Sequence, residues 1–204
     1  MKILFQGDSI TDGGRLEDKE NNIGYGYVKY TTELIKERFQ NIDFDFINLG
    51  INGNRVESLL QRLETDFISI NPDIISIMIG VNDTLHHTAT KIYMKNQEFE
   101  DIYRNLLTQL KARTNSKIIV LEPFLLCSPA NQEYYEDLFP KILVVRALAR
   151  EFADAYIPLD GIFAAATVDH EASFWSADGI HPTEEGAKLI ASQYLNAIAK
   201  LIEV

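Results

Sequence analysis

The sequence predicts an α/β fold. It is expected to be a three-layer α/β/α sandwich with a five-stranded parallel sheet in flavodoxin-like order, 2-1-3-4-5. Three observations lead there. Short apolar runs alternate along the chain with longer stretches whose apolar residues recur at helical spacing. The run Ile74-Ile75-Ser76-Ile77-Met78-Ile79 is almost wholly apolar, as a parallel strand covered on both faces must be. Glycine, asparagine and aspartate collect directly after these runs, where strands end and turns begin.

The first strand is expected at residues 2–6. Residues 12–26 carry four glycines among charges, too polar for a packed helix, and read as a loop over a site. Val28, Leu34, Ile35 and Phe39 mark a helix over 27–39. Residues 44–49 form the second strand, ended by Gly50-Ile51-Asn52-Gly53-Asn54. Val56, Leu59, Leu60, Leu63, Phe67 and Ile70 predict a helix over 55–70, stopped at Pro72. The third strand, 74–79, runs into Gly80-Val81-Asn82-Asp83 and a loop, then a helix over 97–113. Residues 118–121 are the fourth strand, and 124–133 a loop. A long helix over 134–155 follows, with Pro140 either kinking it or separating an opening turn. A fifth strand at 156–159, a short helix at 162–167, an irregular run and a last helix over 183–201 complete the chain. Pro182 and Thr183 mark the entry to that helix.

The 204 residues, 46% of them hydrophobic, suit a single domain, 1–204, with a full core. The formal net charge of -11, from 30 acidic against 19 basic residues, disfavours binding to nucleic acid or to an anionic membrane surface. A small neutral substrate is the expectation. The single cysteine, Cys127, excludes an intrachain disulfide. Too few apolar residues precede Gly7-Asp8 for a secretion signal, so a cytoplasmic protein is expected.

The chemistry gathers at strand ends. In the predicted order strands one, two and three are neighbours pointing the same way. Ser9, Gly53 and Asn82 therefore meet at the crevice outside their carboxyl ends, where ligands bind at a topological switch point. Ser9 reads either as a helix cap or as a nucleophile, which is weak until a base takes its proton. In Asp178-Gly179-Ile180-His181-Pro182 the acid and the imidazole stand three apart. Asp178 can then accept from Nδ1 of His181 and leave Nε2 as the base, provided residues 161–177 carry the histidine back across the crevice.

Four blocks in this order resemble the GDSL family of esterases in its SGNH hydrolase form. They are Gly7-Asp8-Ser9-Ile10, Asn48-Leu49-Gly50-Ile51-Asn52-Gly53, Gly80-Val81-Asn82-Asp83 and Asp178-Gly179-Ile180-His181-Pro182. The resemblance implies serine-esterase catalysis by Ser9, His181 and Asp178. It also implies an oxyanion hole from the backbone N–H groups of Ser9 and Gly53 and the side chain of Asn82, with no metal or organic cofactor. Within the family the chain looks most like acetylxylan and related carbohydrate acetylesterases, through Gly24-Tyr25-Gly26-Tyr27-Val28 and residues 76–83. An acylated sugar is the implied substrate, and a homo-oligomer is an open expectation. One departure is Leu85, where many of those enzymes have tryptophan. Sugar contacts then fall to Tyr25, Tyr27, Leu85 and Trp175, with Phe174 beside them.

Two other readings share these residues: a thioesterase or lysophospholipase-type acyl hydrolase, and a non-catalytic sugar-binding module on the same fold. Asp8 and Asp83 read as carboxylates that hold loop amides. His86-His87 lacks a companion set with metal-ligand spacing, and Cys127 lacks an activating histidine beside it. Trp175 and Phe174 read equally as core or as substrate wall.

Overall fold

A computed structural model of the chain describes residues 1–86, 93–126 and 130–202. Five strands, β1 (Lys2–Gly7), β2 (Asp45–Asn48), β3 (Ile74–Met78), β4 (Lys117–Leu121) and β5 (Ala155–Ile157), form one sheet in the order β2-β1-β3-β4-β5. Every pairing is parallel. The helices are α1 (Ser9–Asp12), α2 (Tyr27–Arg38), α3 (Val56–Gln61), α4 (Val81–Leu85) and α5 (Asn96–Arg113), followed by α6 (Gln132–Phe152), α7 (Leu159–Ala166), α8 (Ala172–Trp175) and α9 (Glu184–Ile202). The predicted order and the three layers are both present.

Strand alternation sorts the core onto two faces. Ile3 and Phe5 of β1, with Ile119 and Leu121 of β4, pack under α2 and α9 on one side. Leu4, Ile75, Ile77, Ile118 and Val120 pack under α3 and α5 on the other. Helix α9 is the last element among the described residues. It lies beside α2 and reaches toward β4 and β5, with Tyr194 5.4 Å from Phe5 between ring centroids. Its entry is thereby carried back over the first strand.

Several elements differ from the expectation. One-turn helices, α1, α4 and α8, stand where turns or irregular chain were predicted, because four or five residues show no periodicity. The expected helix over 55–70 is divided: α3 ends at Gln61 and a π-helical turn, Glu64–Ile68, follows. The wider turn still buries Phe67, and Gln6 Nε2 donates to the carbonyl of Asp66 at 2.8 Å. Strand β5 stops at Ile157 since Pro158 has no N–H for a ladder. Pro140 lies inside a continuous α6. Among the described residues no helix is long and apolar enough to cross a membrane. His87 and Cys127 lie outside the described residues.

Candidate active site

The site is built at the carboxyl ends of β1, β2 and β3. Gly7 is level with Met78 and Phe5 with Asn48, so the three following loops start together. The buried carboxylate of Asp8 caps α1 by accepting from the N–H of Ile10 at 3.0 Å. Burial pushes that carboxyl up to about 7, against the pull of the Ile10 N–H and of nearby His181. Ser9 is the first residue of α1, where the backbone N–H has no partner within the helix. Its Oγ lies 2.9 Å from Nε2 of His181.

His181 is held from behind. Its Nδ1 is 2.7 Å from Oδ2 of Asp178. Oδ1 of Asp178 accepts from the backbone N–H groups of Ile180 at 2.8 Å and His181 at 2.7 Å, with Ser176 Oγ 3.2 Å away. Partial burial raises the Asp178 carboxyl. The His181 ring and the two backbone donors outweigh it and hold the group at about 2. With an ionised carboxylate on Nδ1, that nitrogen keeps its proton and Nε2 is the acceptor facing Ser9. Ser176 Oγ gives its single proton to the nearer acceptor, the carbonyl of His181 at 2.8 Å, and Ser176 bridges to Pro182, closing the loop on itself.

The opposite wall comes from the loop after β2 and from α4. Asn48 is buried at the end of β2 and donates to the carbonyls of Thr11 at 2.8 Å and Ile23 at 2.7 Å. Its Oδ1 accepts from the N–H of Gly50 at 2.9 Å. A Cβ on Gly50 would stand 2.3 Å from the nitrogen of Asp12, so only glycine lets α1 pack on this loop. The N–H of Ile51 reaches the carbonyl of Gly7 at 3.2 Å. Gly53 turns with φ +75, in the left-handed region that favours glycine, and faces open space. Asn82 is on α4, and its Nδ2 donates to the carbonyl of Asn54 at 3.2 Å. A carboxamide has two such donors, and the second remains for a ligand.

The structure thus links Ser9, His181 and Asp178 in one hydrogen-bonded chain, with Gly53 on the loop after β2 and Asn82 on α4 tied together through Asn54. The proposed sugar contacts divide. Tyr25 is 57% exposed. Tyr27 is corrected to core: it is 1% exposed, sits edge-on to Phe5, and its hydroxyl is 3.2 Å from Thr11 Oγ1. As the first residue of α2 it faces the sheet, with Val28 beside it. Leu85 is half-buried against the core. Trp175 is half-buried too, and its Nε1 donates to the carbonyl of Ala166 at 3.1 Å, while neighbouring Phe174 is 41% exposed. Sequence reasoning missed the anchoring work of Asn48 and Ser176. Asn48 had a readable signal, a polar residue closing an apolar strand; Ser176 had none.

The model of the GDSL-like lipase/acylhydrolase family matches residues 5–189. The chain is 30% identical to an acetylxylan esterase of Geobacillus stearothermophilus over 206 residues, covering 97% of this chain and 93% of that one. A crystal structure of that esterase superposes with a TM-score of 0.87 at 28% identity, over 96% of this chain and 92% of the other. A Parabacteroides merdae protein classed as a GDSL-like lipase gives 0.89 at 34% identity, over 96% and 94%. Three further structures of the Geobacillus enzyme are of catalytic mutants, with alanine for a serine, an aspartate and a histidine. The chain therefore belongs to the GDSL-like lipase/acylhydrolase family and is a carboxylic ester hydrolase.

Proposed function

We propose that the protein hydrolyses acetyl esters of carbohydrates, such as acetylated xylo-oligosaccharides, with Ser9 as nucleophile, His181 as general base and acid, and Asp178 orienting the imidazole. The observation that carries this reading is the chain of two short hydrogen bonds from Ser9 Oγ through His181 to Asp178. Ser9 Oγ attacks the acetyl carbonyl while Nε2 of His181 takes its proton. The carbonyl oxygen becomes an oxyanion, held by the N–H groups of Ser9 and Gly53 and the amide of Asn82. As the bond to the sugar oxygen breaks, His181 gives that oxygen its proton, so the sugar leaves as an alcohol and an acetyl-serine remains. Water, deprotonated by the same nitrogen, adds to the acetyl-serine carbonyl; the bond to Ser9 Oγ then breaks, Oγ takes the proton back from His181, and acetate leaves. Every atom and proton is accounted for without a cofactor.

Acetylated sugar as the substrate is supported by the Geobacillus acetylxylan esterase, similar over nearly the full length of both chains. A small neutral substrate also suits a strongly acidic chain. The test is acetate release from a panel of acetylated xylo-oligosaccharides, beside a series of acyl chain lengths on one chromogenic alcohol, with Ser9→Ala as control. Turnover of acetylated sugars and preference for two-carbon over eight-carbon acyl groups are expected, with Ser9→Ala at background. Preference for the long acyl chains makes this a lipid-type acyl hydrolase instead. Failure of a fluorophosphonate probe to label well-folded protein at Ser9 makes it a binding module.

A further inference from the structure

Lys141, in the middle of α6, is the one cation buried completely among the described residues. Its Nζ lies 2.6 Å from Oδ2 of Asp137, one helical turn earlier, and 3.3 Å from that residue's carbonyl oxygen. The same Oδ2 accepts from the hydroxyl of Thr84 on α4 at 2.6 Å. One carboxylate oxygen thus joins an ammonium of α6 to a hydroxyl of α4. A buried ion pair is a poor source of net stability, since desolvation offsets its attraction. What it does supply here is a directional tie to a five-residue helix that is too short to hold itself.

The other side of α4 is tied the opposite way. Asp83, wholly buried, has its two carboxylate oxygens 3.3 and 3.2 Å from the N–H of Val56, the first residue of α3. Asn82 donates to the carbonyl of Asn54, directly after Gly53. Helix α4 is therefore clamped between α6 and the Gly53 loop, and Asn82, Asp83 and Thr84 are the three consecutive residues that make the clamp. Charged groups converge on it from several elements. Burial pushes the Asp83 carboxyl up to about 7, the Val56 N–H, Arg55 and Lys141 pull it down, and Asp8 pushes it up. Tyr103 of α5 faces the same carboxylate, which adds to the effect of burial in raising its hydroxyl.

We propose that Lys141, acting through Asp137 and Thr84, is a positioning residue for the oxyanion hole: it holds α4 so that the Asn82 carboxamide stays in register with Gly53. This rests on the reading of Asn82 as an oxyanion donor. Such donors act on charge that develops only in the transition state, so loosening the clamp lowers kcat and leaves KM in place.

The experiment is steady-state hydrolysis of 4-nitrophenyl acetate by Lys141→Met, Thr84→Val, Thr84→Ser, Asn82→Ala and the double variant Thr84→Val/Asn82→Ala. Lys141→Met and Thr84→Val are expected to lower kcat about 10-fold, the scale of coupling between neighbouring groups. KM should stay within about twofold, as for an interaction made only in the transition state. Thr84→Ser keeps the hydroxyl and restores kcat. In the Asn82→Ala background, Thr84→Val costs little more. Thr84→Val keeps the shape of the side chain, so it tests the tie even where Lys141→Met, which strands Asp137, does not fold. The proposal is overturned by an equal kcat loss from Thr84→Val with and without Asn82, by a rise in KM alone, or by failure of serine to rescue. A single Asn82→Ala variant with undiminished kcat overturns the oxyanion reading itself, and the two failures are told apart in that one measurement.

Discussion

Asp178 serves two ends at once. Three hydrogen bonds converge on its two oxygens, from the His181 ring and two backbone N–H groups. Partial burial works against the charge, yet these donors prevail and hold the carboxyl at about 2. A folded-state value below the unfolded one stabilises the protein above the unfolded value of about 4, and that contribution is lost as pH falls from about 4 toward 2. Asp178→Asn is expected to flatten the loss of urea midpoint over that interval. In the proposed mechanism the same substitution removes the charge that orients and stabilises the imidazolium. It is expected to lower kcat by roughly 10³–10⁴ with little change in KM, measured on 4-nitrophenyl acetate. At this scale the sequence was readable where chemistry imposes residue type at close spacing, as in Asp178 and His181. It was misleading at Tyr27, because a tyrosine beside a glycine-rich loop looks the same whether it faces sugar or sheet.

The one-turn helices α1 and α4 present Ser9 and Asn82, and a single turn of hydrogen bonds is too little to hold either. Helix α1 is capped by Asp8, tied through Asn48, and packed on Gly50 at a distance no side chain permits. Gly50→Ala is expected to push α1 off the β2 loop, lowering stability by about 1–3 kcal/mol in urea unfolding. It should also lower turnover, since the Ser9 Oγ leaves the reach of His181. Asp8 gives the opposite pH signature to Asp178. Its folded-state value near 7 stands above the unfolded one, so its contribution is full below about pH 4 and is lost as pH rises toward 7. Asp8→Asn is expected to remove that decline, read as a flatter urea midpoint between pH 4 and 7. An unchanged slope would show that the carboxyl ionises in the fold as easily as in the unfolded chain. These short elements escaped the sequence reading for a physical reason: periodicity needs more than one turn to appear. The polar closing residue of a strand, Asn48, was the only local hint of how α1 is fastened.

Over the whole molecule, a net charge of -11 acts on charged ligands and leaves neutral ones unsteered. The kcat/KM for 4-nitrophenyl acetate is expected to stay flat from low to high salt, while an ester carrying a carboxylate improves as salt screens the repulsion. A strong salt dependence with the neutral ester would show that salt acts on something other than long-range steering of the substrate. The sheet order was legible because alternating apolar runs and helical stretches leave few ways to cover both faces, and parallel connections cross over with a fixed hand. Sequence alone determined the three glycine-rich or asparagine-bearing strand ends and the Asp178–His181 pair, since each depends on residue type at short range. Only the tertiary structure decided that α9 lies beside α2 and returns His181 to Ser9 across residues 161–177. It alone also placed Asn48, Lys141 and Ser176 in the supports of the site and Tyr27 in the core. Those outcomes depend on which faces meet over long separations, and a periodic pattern records that a face is buried without recording what buries it.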